Sequence, residues 1–135
     1  EHLAKDFLFL QKLQPQMVGI GPFLPHQETP FRDGTPGTAE MTVRCVAILR
    51  LLLPGANLPA TTALATLDPN GRQKAVLAGA NVIMPNLSPA EVRDNYSLYD
   101  HKAHSGAEAA EGLRLLQQQM EEIGYTLCID RGDSR

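Results

Sequence analysis

The chain has no long basic run, and its 12 Lys and Arg are outnumbered by 15 Asp and Glu. A nucleic-acid face is therefore not expected. Its apolar runs fall far short of the roughly 20 residues needed to span a bilayer. The opening EHLAKDFLFL mixes acidic side chains with apolar ones and has no signal-peptide layout. The expectation is a cytoplasmic location and no membrane partner. Only two cysteines occur, Cys45 and Cys128, both within apolar segments. That suits buried thiols in a reducing compartment better than a disulfide framework. His26 has no second His or Cys at ligand spacing, so it reads as a surface or hydrogen-bonded histidine and no metal site is expected. There is no internal repeat and no low-complexity segment. With 135 residues, 43% hydrophobic and 20% charged, one domain over residues 1–135 can bury a single core.

What is present alternates. Leu3, Phe7 and Leu10 recur at helical spacing, and Pro15 stops that helix. MVGIGPF, residues 17–23, reads as a buried strand leaving through glycines. Gly19 and Gly21 would admit a close neighbour to the backbone, or simply a bend. Residues 24–37, with Pro25, Pro30 and Pro36, form a long irregular loop, of the kind that is functional or disordered. Thr38 caps a second helix whose buried stripe reads Met41, Cys45, Ile48 and Leu52. Arg44 and Arg50 read as solvated, and Pro54-Gly55 closes the helix.

The organising stretch is PATTALATLDP, residues 59–69. It reads as a strand from about residue 57, then a loop, then a helix over about residues 69–78. Asp68 is the N-cap, Pro69 the first helical residue and Gly79 the stop. Thr61 and Thr62 fall at the carboxyl end of the strand, where parallel α/β proteins bind ligands. NVIMP, residues 81–85, is the next strand, close enough to make a compact βαβ unit. Met84 and Asn86 lie at its end, Met84 equally serviceable as core filler. SPAE, residues 88–91, and SGAE, residues 105–108, are capping boxes. Tyr96 and Tyr99 lie in the loop between them, as packing residues or as aromatic faces for a ligand. The second box starts a helix with Leu113, Leu116, Met120 and Ile123 on its apolar face. Thr126, Leu127, Cys128 and Ile129 read as a last strand, and Arg131, Gly132 and Asp133 as a polar tail. This order implies a parallel sheet with helices packed on it.

MVGIGPFLPHQETPF, LPATTALATLDPNGR, AGANVIMPNLSP, YSLYD and IDRGD occur in this order in one family. The chain resembles the radical S-adenosylmethionine maturases of [FeFe]-hydrogenase, relatives of biotin synthase, over nearly its whole length. The resemblance implies the carboxyl-terminal half of a TIM-type (β/α)₈ barrel, from the helix before the sixth strand onward. A whole barrel needs about 250 residues. It also implies a cluster-dependent reductive cleavage of S-adenosylmethionine to a 5′-deoxyadenosyl radical, in assembly of the hydrogenase diiron cofactor. The small-molecule substrate would be an iron carbonyl–cyanide complex carrying cysteine. By the same resemblance Ile20, Gly21, Pro22 and Phe23 lie beside the adenosine of S-adenosylmethionine, and Tyr96 and Leu98 close over it. Thr61, Thr62 and Met84 line the substrate cavity.

One departure is large. The CxxxCxxC motif that holds the family's [4Fe-4S] cluster is absent, and Cys45 and Cys128 cannot replace it. The chain alone is expected to be inactive. A half barrel would also have open edges, which favour self-association or pairing with the missing amino-terminal half. Two alternatives stand beside this reading: a stand-alone α/β module that binds a small anion without catalysis, and part of a biotin-synthase-like or methylornithine-synthase-like enzyme.

Overall fold

The computed structural model describes residues 1–85 and 109–134. Helix α1 (His2–Leu13) ends where Gln14 turns left-handed (φ 51°) and donates its N–H to the Leu10 carbonyl. Pro15 then blocks continuation. Of the expected stripe, Phe7 is buried and Leu10 half-buried, but Leu3 is exposed, as are Leu8, Phe9 and Leu13. Residues 17–23 do not form the expected strand. Only Met17 bridges in parallel to Asn57. Gln16 accepts from the Asn57 N–H and Val18 donates to the Asn57 carbonyl, each at 2.9 Å. Beyond this the Gly-Ile-Gly-Pro run departs from the ladder, since proline supplies no N–H and glycine adds no side-chain packing.

Helix α2 (Ala39–Leu52) starts as its sequence dictates: the Thr38 hydroxyl accepts from the Met41 N–H at 3.2 Å. Its buried residues are Thr42, Cys45, Val46 and Leu49. The expected stripe is therefore rotated by about one residue, leaving Met41 and Ile48 exposed. The shift is enforced by Val46, Leu49 and Leu53, which are almost wholly buried against Leu58 and Leu64 in the core. Each such side chain contributes about 1.5–3 kcal/mol by leaving water.

Strand β1 (Pro59–Ala60) follows, then a short helix α3 (Thr62–Leu67), helix α4 (Gly71–Leu77), strand β2 (Val82–Ile83) and helix α5 (Ala109–Glu121). Strands β1 and β2 pair in parallel, Pro59 with Val82 and Ala60 with Ile83. The chain is thus mixed α/β with a small parallel sheet, and α4 is the expected crossover. It stops at Gly79, whose φ of 117° favours glycine. Helix α3 was not expected. A Cβ on Gly71 would stand 2.7 Å from the Leu64 carbonyl oxygen, so glycine alone lets α3 and α4 approach this closely. Asp68 is not the cap of α4. Asn70 takes that position, and the Asp68 carboxylate accepts from the Asn70 N–H at 2.9 Å in the turn before it.

On α5, Leu116 and Met120 are buried and Leu113 half-buried; Ile123, just past its end, is half-buried, and the chain turns at Gly124 (φ 80°). Residues 126–129 are not a strand. Ile129 is 91% exposed and Cys128 is exposed, so only Cys45 is the buried thiol expected of both. The stretch has β-forming side chains but pairs with no strand among the described residues. Both capping boxes, Asn86, Tyr96, Leu98 and Tyr99 lie outside the described residues.

Candidate functional site

The parallel ladder brings three of the expected segments to one edge. Met17 faces Asn57, and Ala60 faces Ile83. Thr61 and Met84 directly follow the paired Ala60 and Ile83 at the carboxyl ends of β1 and β2, and Gly21, beyond the bridge, comes up against Thr61. A Cβ on Gly21 would lie 3.0 Å from Thr61 Oγ1, so the glycine leaves that hydroxyl its space. Gly19 has no atom within 4 Å of a Cβ position and borders open space. Ile20 and Pro22 are half-buried, Phe23 is exposed, and Met84 is 58% exposed at the same edge.

Thr61 has a structural duty as well. It is the N-cap of α3, its hydroxyl oxygen facing the Leu64 N–H at 3.4 Å. An accepting hydroxyl keeps its own proton to donate. Thr61 can therefore end β1, start α3 and still offer one O–H to a ligand. Thr62 is half-buried in the first turn of α3, and its carbonyl accepts from the Thr66 hydroxyl at 3.1 Å.

The opposite end of the sheet is built differently. Arg50 is not solvated. Its Nε donates to the Gly79 carbonyl at 2.8 Å. Its Nη1 donates to the carbonyls of Leu53, Pro54 and Ala56 at 3.2, 2.9 and 2.8 Å, and its Nη2 to Asn81 Oδ1 at 3.0 Å. Asn81 Oδ1 also accepts from the Leu58 N–H at 2.8 Å, and its Nδ2 donates to Asn57 Oδ1 at 3.1 Å. Asn57 Nδ2 completes the series by donating to the Gly132 carbonyl at 2.7 Å. A cavity of about 500 Å³ opens here, bordered by Asn57, Asn81, Met120, Tyr125, Cys128 and Asp133 among others. Of its polar wall, the Asn57 and Asn81 side chains are committed to these internal bonds. Sequence reading missed Arg50 and Asn81. The available signal was an arginine in the last turn of a helix that ends at Pro-Gly.

Among the described residues, two titrations are displaced. Burial pushes the Cys45 thiol above its ordinary value, so it stays protonated at neutral pH. Hydrogen bonds from Lys74 Nζ, at 2.6 Å, and from the Asn70 N–H hold the Asp68 carboxyl below its ordinary value. His26 is hydrogen-bonded as expected: its Nδ1 accepts from the Glu28 N–H at 3.1 Å.

No family model matches the chain. It is 47% identical over 102 residues to the [FeFe] hydrogenase maturase subunit HydE of Thermotoga maritima. This chain is a relative of the radical S-adenosylmethionine maturase of [FeFe]-hydrogenase. The matched stretch is 76% of this chain and 29% of the Thermotoga protein. A second relative, 3-methylornithine synthase of Methanosarcina acetivorans, is 31% identical over 99 residues, 71% of this chain and 28% of that enzyme. Both matches fall in the carboxyl-terminal part of the relatives. The chain therefore spans less than a third of the length of the curated relatives it matches. No described helix of this maturase relative is long and apolar enough to cross a membrane.

Kinship with these enzymes implies two cofactors in the full-length family, S-adenosylmethionine and a [4Fe-4S] cluster. The open space at Gly19 leaves the backbone there accessible to a ligand such as the first. A [4Fe-4S] cluster does not fit. The chain has two cysteines, one buried in α2 and one exposed near the tail. Among the described residues no three His, Cys, Asp or Glu side chains gather to hold a metal.

Proposed function

We propose that this chain forms the carboxyl-terminal part of a radical S-adenosylmethionine barrel that takes part in assembly of the [FeFe]-hydrogenase diiron cofactor. One observation carries the reading. The segment assigned to adenosine and the segment assigned to the cavity, separate in sequence, meet where Gly21 abuts Thr61. Thr61 follows β1 at its carboxyl end, the end at which barrels of this type bind ligands.

In this reading Gly19 and Gly21 let the cofactor reach the backbone, and Ile20, Pro22 and Phe23 supply apolar contact to its adenosine. Thr61 donates its hydroxyl proton to a polar atom of the substrate, Thr62 flanks it, and Met84 closes the apolar side. Tyr96 and Leu98 cover the cofactor. When bound, S-adenosylmethionine supplies one-electron chemistry, driven by a cluster that another part of the barrel must hold. Exposed Leu8, Phe9 and Leu13 on α1, and Ile48 and Leu51 on α2, support pairing with the amino-terminal part of such a barrel, or with a second copy in its absence. The lower identity to 3-methylornithine synthase makes part of a methylornithine-synthase-like enzyme the second reading.

The test is a reconstitution. This chain is mixed with a cluster-loaded amino-terminal part of the Thermotoga relative under anaerobic reduction, and 5′-deoxyadenosine is assayed. Production above that of the amino-terminal part alone, lost in Thr61→Val and Tyr96→Ala, is the expected outcome. Association of the two parts without any gain in product would overturn the reading.

A further inference from the structure

The loop at residues 24–37 returns to its own starting point. The Gly37 N–H donates to the Phe23 carbonyl at 2.9 Å, and inside the loop Thr29 and Gly34 donate to the carbonyls of His26 and Phe31. Its fold bears on Phe23. The Phe31 ring meets the Phe23 ring edge to face, with centroids 6.4 Å apart and planes at 84°. A Cβ on Gly34 would stand 3.1 Å from Phe23 Cε1, and a Cβ on Gly37 3.0 Å from the Phe23 nitrogen and 3.2 Å from Pro22 Cα. Three separate loop residues thus converge on Pro22 and Phe23, immediately after the Gly21–Thr61 contact. Internal burial does not account for this, because Phe23 is 47% and Phe31 67% exposed.

We infer that Phe31 is a positioning residue. It holds the Phe23 ring so that a free ring face is presented to the adenine of S-adenosylmethionine, and Gly34 and Gly37 allow the loop to close on that ring. Perpendicular packing occupies at most one face of Phe23, and a planar heterocycle can cover the other. The inference rests on the cofactor reading above and adds the loop to it.

The test uses this chain joined to the amino-terminal part of the Thermotoga relative. S-adenosylhomocysteine and S-ribosylhomocysteine, which lacks the adenine, are titrated by calorimetry, with a thermal melt of every variant. In Phe31→Ala, and in Phe31→Leu, which keeps apolar volume, S-adenosylhomocysteine should bind about threefold to tenfold more weakly. S-ribosylhomocysteine should be unaffected, so its disadvantage shrinks by that factor. Phe31→Tyr should restore the preference, and Gly34→Val should reduce it with both rings in place. Unchanged preference in both Phe31 variants, or equal weakening of both ligands, overturns the inference and leaves the cofactor reading standing. No binding of S-adenosylhomocysteine to the parent protein overturns both.

Discussion

Replacing Arg50 by methionine keeps the aliphatic stem and removes the guanidinium. Five bonds disappear together. Those to the Pro54 carbonyl and to Asn81 Oδ1 are exposed, and water can replace them. Those to the carbonyls of Leu53, Ala56 and Gly79 are partly buried, and three acceptors are left poorly satisfied. At about 1 kcal/mol for each, the expected loss is about 2–4 kcal/mol. Urea denaturation reads it as a lower midpoint with an unchanged slope. Arg44 on the same helix is the control, because its guanidinium pairs only with the exposed Glu40. Arg44→Met should cost less than about 0.5 kcal/mol. Equal small effects at both positions would refute the reasoning, since the argument rests on where the donors go and not on charge.

Gly79→Ala should cost about 2 kcal/mol, because its Cβ would stand 2.7 Å from Arg50 Cβ at a φ of 117°. Gly124→Ala, with a φ of 80° and nothing within 4 Å, should cost about 1 kcal/mol; thermal melts of the pair check the order. Native alkylation followed by mass spectrometry should label exposed Cys128 at least about tenfold faster than buried, protonated Cys45. The depressed Asp68 pKa favours the folded state above the usual carboxylate range, and that contribution is lost as pH falls through the folded value. Asp68→Asn should therefore lose under about 1 kcal/mol at pH 7 and converge with the parent in acid, as followed by urea titration across pH.

What the sequence made legible was local. Thr38 announced α2, Pro15 and Gly79 announced ends, and the two apolar runs around Leu58 and Val82 announced parallel strands joined by a helix. Helix α3 escaped because six residues are too few to show a periodic stripe, and because Thr61 reads equally well as a strand end or a cap. Arg50 escaped because its partners at Gly79 and Asn81 are distant in the chain, where no spacing rule reaches. Residues 126–129 misled because β-forming side chains describe a surface that fits a sheet, not the presence of a neighbour to pair with. At the candidate site the residue types were legible. The meeting of Gly21 with Thr61 depended on a single bridge, Met17 to Asn57, between segments far apart in sequence.

The register of β1 against β2 has an unusual author. A two-residue parallel ladder carries little information about its own alignment, and a slip by one position would turn every side chain to the wrong face. The Asn81 carboxamide sits where the ladder begins, taken by Leu58, Arg50 and Asn57 at once. Sliding β2 by one residue would put alanine or valine in that place and break all three bonds together. The zero point of the sheet is thus set by a side chain at one end. The geometry at the other end, where Thr61 and Met84 follow the paired Ala60 and Ile83, is read off from it like a scale from its index mark.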